Sequence, residues 1–206
     1  MKTAAIYDIG QPEAARTAEW LEKQNWRILR LKKGQESKCG QLLQEAVDLL
    51  IVQIDTEYGG KDGAVGSGHD YEAMLNVVAD RVYAANAIVE GCLPALRLGT
   101  GKRIAFLTES CGSIRECEDR EGFVKHMILA GVHMQAKLLF NRLRKEGFTM
   151  RCFAADQICG DDIDAGMLDA GTYFTMGLCY DAKEPYIHSD ENRFVMRDYA
   201  FREIPW

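Results

Sequence analysis

At 206 residues, 47% of them hydrophobic and 27% charged, the chain is long enough to bury a substantial core as one domain spanning 1–206. A net charge of −6 without a basic stripe argues against binding nucleic acid or an anionic membrane. No stretch reaches the ~18 consecutive apolar residues of a membrane span, and the N-terminal MKTAAIYDIG lacks a signal peptide's apolar core, so a cytoplasmic location is expected.

In chain order, TAAIYDIG predicts a strand, and PEAARTAEWLEKQN a helix opened by Pro12 at its first position. WRILRLKKG predicts a second strand, ESKCGQLLQEAV a short helix, and DLLIVQID the next strand. The glycine-rich TEYGGKDGAVGSGHD reads as a loop. A long helix follows, with Met74, Val78, Val82, Ala85, Val89 and Leu93 along one face. RIAFLTE is a buried strand, SCGSIRECEDRE a polar loop, Gly122 to Glu146 a second long helix, and FTMRCFAAD another buried strand. A crossover of this length makes a parallel βαβ unit. Ligands bind beyond the carboxyl ends of such strands, which puts Glu109–Cys117 and Asp156–Asp161 at the expected site. DAGTYFTMGLCY predicts a further helix and NRFVMRD the last strand.

The seven cysteines form no CxxC pair, and an odd count does not suit a disulfide framework. Cys92, Cys152, Cys159 and Cys179 lie in or beside apolar runs and read as core residues. Cys111, Cys117, Cys159 and His126 match no standard zinc spacing, so no metal is expected. The loop Gly63–Gly68 lacks the Gly-Lys-Ser/Thr ending of a phosphate-binding loop and reads as mobile. Ser110 with His126 reads as coincidence, because GxSxG is absent. His69, His133 and His188 are expected to have no special role.

The run RIAFLTESCGSI, the helix ending in RLRKEG, the strand after it and the closing REIPW resemble the short-chain dehydrogenases/reductases, over nearly the whole chain. The resemblance implies a three-layer α/β sandwich with a Rossmann-like, doubly wound parallel sheet of about six strands. Only about 17 residues separate the second and third predicted strands, so the outermost strand of that sheet is expected to be absent or vestigial.

Family chemistry, carried over by position, meets different residues here. The three glycines of the cofactor loop fall on Asp8, Pro12 and Ala14, with Gly10 beside them. The Asn-Asn-Ala-Gly pattern falls on Val52, Gln53, Ile54 and Asp55, and the Pro-Gly after the sixth strand on Ala155 and Asp156. The catalytic Asn, Ser, Tyr and Lys fall on Arg81, Glu109, Lys125 and Leu129. A carboxylate at Asp8 would repel a pyrophosphate, and Leu129 cannot lower a neighbour's pKa. The expectation is therefore a protein that has lost NAD(P) binding and hydride transfer and acts as a binding, partner or regulatory subunit with no cofactor. The alternative is an NAD- or NADP-dependent oxidoreductase of a small carbonyl or alcohol with a non-standard site. A second alternative is other chemistry by Glu109, Lys125 and His126 in the same cleft. The resemblance also implies a homodimer through helices at about 70–96 and 122–146, and charge at Val132 and Leu139 is expected to release monomers.

Overall fold

The computed structural model describes residues 1–8, 10–154, 193–198 and 202–206. Strand β1 (Thr3–Tyr7) is buried throughout, and β2 (Arg27–Leu31) is half-exposed, as befits a strand with one neighbour. Between them lies α1 (Pro12–Lys23), opened by its proline. A 3-10 turn (Glu36–Lys38) and the short α2 (Cys39–Leu42) lead to β3 (Leu49–Gln53). The long α3 (Tyr71–Leu98) connects to β4 (Arg103–Thr108), and α4 (Phe123–Leu143) to β5 (Thr149–Ala154). Two-residue strands β6 (Met196–Arg197) and β7 (Glu203–Ile204) close the sheet.

The order is β2-β1-β3-β4-β5-β6-β7, parallel except for the last pair. Seven strands replace the expected six, because REIPW folds back as an antiparallel edge on β6. As expected, no strand lies beyond β2 among the described residues. The intervening segment instead packs α2 onto α3. Contact is close: a Cβ added at Gly91 would meet the Cys39 Cβ at 3.1 Å.

Strand alternation sorts the core into two layers. Ala5, Tyr7, Ile104 and Phe106 meet α3 and α4, while Ala4, Ile6, Ala105 and Leu107 meet Ala14, Ala18 and Leu21 of α1. Cys92 and Cys152 are buried as expected. The predicted helix DAGTYFTMGLCY, Ala155, Asp156–Asp161, Cys159, Cys179 and His188 lie outside the described residues. No helix of the described residues is long and apolar enough to cross a membrane.

Three side chains fix the joints. Asp70 Oδ1 caps α3, accepting from the Ala73 N–H at 3.0 Å. Asp62 caps α4 from a distant loop: its Oδ2 accepts from the Val124 N–H at 2.9 Å, and its carbonyl from the Gly122 N–H. The Gly63–Gly68 loop is thereby tethered next to α4. Asp48, nearly buried at the start of β3, accepts from the N–H groups of Thr3, Thr100 and Gly101 and from the Thr100 hydroxyl, all at 2.9–3.1 Å.

A candidate active-site cleft at the strand ends

The carboxyl ends of β1, β3 and β4 open onto two adjoining cavities that share Ile54 and Asp55. The larger, about 380 Å³, lies between α1 and α4, with Gln53, Thr108, Glu109, Lys125 and Leu129 on its walls. The smaller, about 190 Å³, reaches from Asp8 to Lys33, Glu36 and Arg81. Together they form a trough at the point where the sheet changes direction, the usual ligand position in such folds.

Glu109 and Lys125 are ion-paired across the larger cavity. The Thr56 hydroxyl donates to the other Glu109 oxygen at 3.2 Å. Lys125 reaches the cleft because it sits in the first turn of α4, where Asp62 anchors the backbone; Leu129, one turn on, is a buried wall. Arg81, one of the four family-mapped positions, is drawn into the smaller cavity. Its Nη2 donates to Asp55 and its Nη1 to Asp80, both at 2.9 Å, while Nε is buried with no hydrogen-bond partner among the described residues. His126 turns away from the cleft, one nitrogen facing the Gly122 carbonyl and the other Asp119. It supplies neither Ser110 nor the Glu109–Lys125 pair with a base.

The β1–α1 turn is organised around Asp8 and Gln53. Asp8 takes a left-handed φ of 59°, its N–H donating to the Leu31 carbonyl and its own carbonyl accepting from the Gln11 N–H. Burial, then the Asp55 charge, pushes the Asp8 carboxyl above its ordinary pKa. Ala14 is buried, and its N–H donates to Gln53 Oε1 at 2.9 Å, while Gln53 Nε2 donates to Glu13. At Gly10 a Cβ would approach nothing closer than Asp8 Oδ1 at 3.8 Å, so the backbone there is open to a ligand.

His133 was expected to play no special part, yet it is buried between the cleft wall and Trp206. Its Nδ1 donates to the Gly112 carbonyl at 3.3 Å, and its Nε2 accepts from the Thr108 hydroxyl at 2.6 Å. Sequence reasoning missed this because the pairing spans 25 residues and follows no motif. Burial depresses His133 to about 4. A histidine neutral in the fold but titrating near 6.5 when unfolded takes up its proton in the unfolded chain first, so stability falls as pH drops from about 6.5 to 4. The loss should reach about 3 kcal/mol, at ~1.4 kcal/mol per pKa unit. Urea midpoints measured between pH 7.5 and 4.5 should show it. His133→Gln, which can still donate to Gly112 and accept from Thr108, should flatten the dependence. An equally steep decline in that variant would assign the loss to other groups.

No protein-family model and no curated protein matches the sequence. Solved structures do. A carbonyl reductase of Pseudomonas aeruginosa in complex with NADP superposes with a TM-score of 0.75 at 9% identity, covering 100% of both chains. The Drosophila melanogaster carbonyl reductase Sniffer superposes at 0.70 with 12% identity, again over 100% of both chains. A structure assigned to the short-chain dehydrogenases/reductases from Burkholderia multivorans, with bound NADP, gives 0.72 at 13%, covering 100% of this chain and 99% of that one. The expectation of no cofactor is corrected by these findings, because chains superposing along their full length hold NADP. The charge argument at Asp8 treated its carboxylate as fixed. In the fold burial and the Asp55 charge raise its pKa, so neutralising it is easier than a fixed charge implies. The chain has the fold of the short-chain dehydrogenases/reductases, with a mostly parallel seven-stranded sheet and an intact strand-end trough.

Proposed function

We propose that the chain is an oxidoreductase that uses a nicotinamide dinucleotide on a small carbonyl or alcohol substrate, with Lys125 as proton donor in place of the family's tyrosine. The observation that carries this is the Glu109–Lys125 pair on the wall of the larger cavity, at the positions that correspond by resemblance to the catalytic Ser and Tyr. A bound dinucleotide supplies the hydride. Lys33 and the Arg81 guanidinium on the walls of the smaller cavity, with the open backbone at Gly10, would hold its phosphates. The Lys125 ammonium hydrogen-bonds the substrate carbonyl and gives its proton to the oxygen as the carbonyl carbon is reduced. Glu109 keeps that ammonium aimed, and Thr56 holds Glu109. Leu107 and Leu129 keep water from that wall. A non-catalytic partner role draws no support from this geometry, since the two groups meet in the cleft.

Isothermal titration with NADP(H) and NAD(H), followed by turnover assays on a panel of small aldehydes and ketones, tests the reading. Micromolar binding with turnover is expected; failure of both dinucleotides to bind would overturn it. Affinity should also fall as pH rises, because bound phosphate pushes Asp8 further up and favours its protonated, donating form. Asp55 and Glu36 act in the same direction, while Lys33 and Arg81 oppose it. Asp8→Asn should bind with little pH dependence; an unchanged slope would show that Asp8 is not the linked group.

The protein is also proposed to pair with a second copy through α3 and α4. Tyr71, Leu75 and Tyr83 on α3, with Met127, Met134 and Leu138 on α4, are exposed apolar side chains on the two helices. Val132 proves to be core, 4% exposed, and Leu139 packs against that core, so charging them would damage folding rather than assembly. Met134→Glu with Leu138→Glu should yield folded monomers in sedimentation; a dimer surviving both changes would place the seam elsewhere.

A further inference from the structure

Outside the cleft, the loop after β4 folds back on the first turn of α4 and gathers three different metal-ligating side chains. The Cys111 Sγ, an Asp119 carboxylate oxygen and a His126 ring nitrogen all lie within 4.8 Å of one another. Sequence spacing gave no reason to expect this set, because Asp119 belongs to no motif with the other two.

The orientation of the His126 ring decides what the cluster can do. Gly122, which precedes α4, adopts a left-handed φ of 77°, and a Cβ there would press on the His126 ring at 3.4 Å. Its carbonyl lies 2.5 Å from His126 Nδ1. A carbonyl can only accept, so Nδ1 carries the proton and donates it. In the neutral ring Nε2 then presents its lone pair to Asp119 Oδ2, 3.0 Å away. Two acceptors at that separation repel unless a cation or a proton stands between them. A histidine that donates one nitrogen to a backbone carbonyl and presents the other to a carboxylate, with a thiol in the same cluster, has the arrangement of metal-bound imidazoles.

We propose that Cys111, Asp119 and His126 bind one zinc-class divalent cation, with a fourth coordination position open. Sulfur, nitrogen and oxygen together suit Zn²⁺ or Co²⁺ and select against Mg²⁺ and Ca²⁺, which take oxygen ligands. Tetrahedral bonds of about 2.0–2.3 Å set the ligand atoms roughly 3.5 Å apart, so the 3.0 Å Nε2–Oδ2 pair would open slightly and the wider separations close. Asp119, exposed on its loop, is free to make that small adjustment. Glu116, Glu118 and Glu121 lie on the same loop and favour a cation over Arg115 and Arg120. Metal here would pin the segment that follows Glu109 to the helix turn that carries Lys125.

The test uses the full chain, stripped with chelator and titrated with Co²⁺ and then Zn²⁺. One equivalent should produce a near-ultraviolet thiolate-to-cobalt charge-transfer band and visible bands of a four-coordinate site, both erased by Zn²⁺. Cys111→Ser should lose the charge-transfer band. Asp119→Asn, an exposed change that spares folding, should weaken binding at least about tenfold. Cys117→Ser should behave as wild type. A wild-type chain with no charge-transfer band would overturn the proposal and leave the His126–Asp119 contact as a simple ion pair. So would a band that survives Cys111→Ser, an unchanged affinity in Asp119→Asn, or a band lost in Cys117→Ser. All these readouts are independent of the proposed oxidoreductase activity, so failure of one reading leaves the other standing.

Discussion

Lys125→Met should lower carbonyl turnover by about 10²- to 10⁴-fold, the usual worth of a positioned proton donor, while leaving dinucleotide affinity unchanged. Methionine keeps the unbranched stem along the cavity wall and removes only the ammonium. Among the described residues no other cation takes its place: Leu129, one turn on, is aliphatic, and Arg81 is committed to Asp55 and Asp80 in the neighbouring cavity. The pair is partly exposed, with Lys125 at 41% and Glu109 at 24%, so breaking it should cost at most about 1 kcal/mol of stability. Lost turnover would then reflect lost chemistry. Steady-state kinetics and titration on the same preparation separate the two. Unchanged turnover would remove Lys125 from the mechanism, and lost binding would recast it as a ligand-holding residue.

The largest effect on stability is expected at Asp48. Asp48→Ala should destabilise the fold by about 3 kcal/mol or more, since each donor left without a partner in a buried setting costs about 1–3 kcal/mol. Thr3 N–H is buried and cannot turn to water, whereas Thr100 is exposed and recovers part of the loss by hydration. Asp48→Asn should cost less, because its oxygen still accepts from Thr100 and Gly101, but its amide then faces the Thr3 N–H donor to donor. The surroundings cannot relax freely: a Cβ at Gly101 would meet the Asp48 carbonyl at 2.5 Å, and one at Gly99 the Val47 carbonyl at 1.9 Å. Burial would raise the Asp48 pKa, but hydrogen bonds from Thr3, Thr100 and Gly101 outweigh it and hold the carboxyl low. A depressed carboxyl stabilises the fold above its unfolded pKa of about 3.9 and ceases to do so as pH falls through the lower folded value. Its contribution is thus lost at more acidic pH than that of His133. Urea unfolding of the alanine variant decides the matter; a loss below about 1 kcal/mol would mean that water replaces the carboxylate at every donor.

Much of the architecture was legible because it depends on local pattern. Runs such as LLIVQ and RIAFLT are buried on both faces and announce parallel strands without reference to anything distant. The short interval before β3 forecast the missing edge strand, since chain length alone limits what fits there. The start of α1 followed from Pro12, whose effect reaches only a few residues. The second edge was less legible: REIPW has no strand period long enough to read, and its pairing with β6 is set by where the sheet ends.

The site divides along the same line. Glu109, Lys125 and Leu129 were placed together by resemblance, and the fold does assemble them, because a strand end and a helix start on one βαβ unit are held in fixed relation. Arg81 escaped that placement. Asp55 and Asp80 capture its guanidinium, an electrostatic choice among residues 26 and 1 positions away that no local pattern records. His133 became a buried neutral partner of Thr108, and His126 turned from the cleft toward Cys111 and Asp119, for the same reason. The sequence by itself determined which segments are strands and helices, since hydrophobic period and chain length act locally. Only the tertiary structure decided which charges meet and which remain buried. Those outcomes depend on distances between groups far apart in the chain and on the low dielectric that packing creates around them.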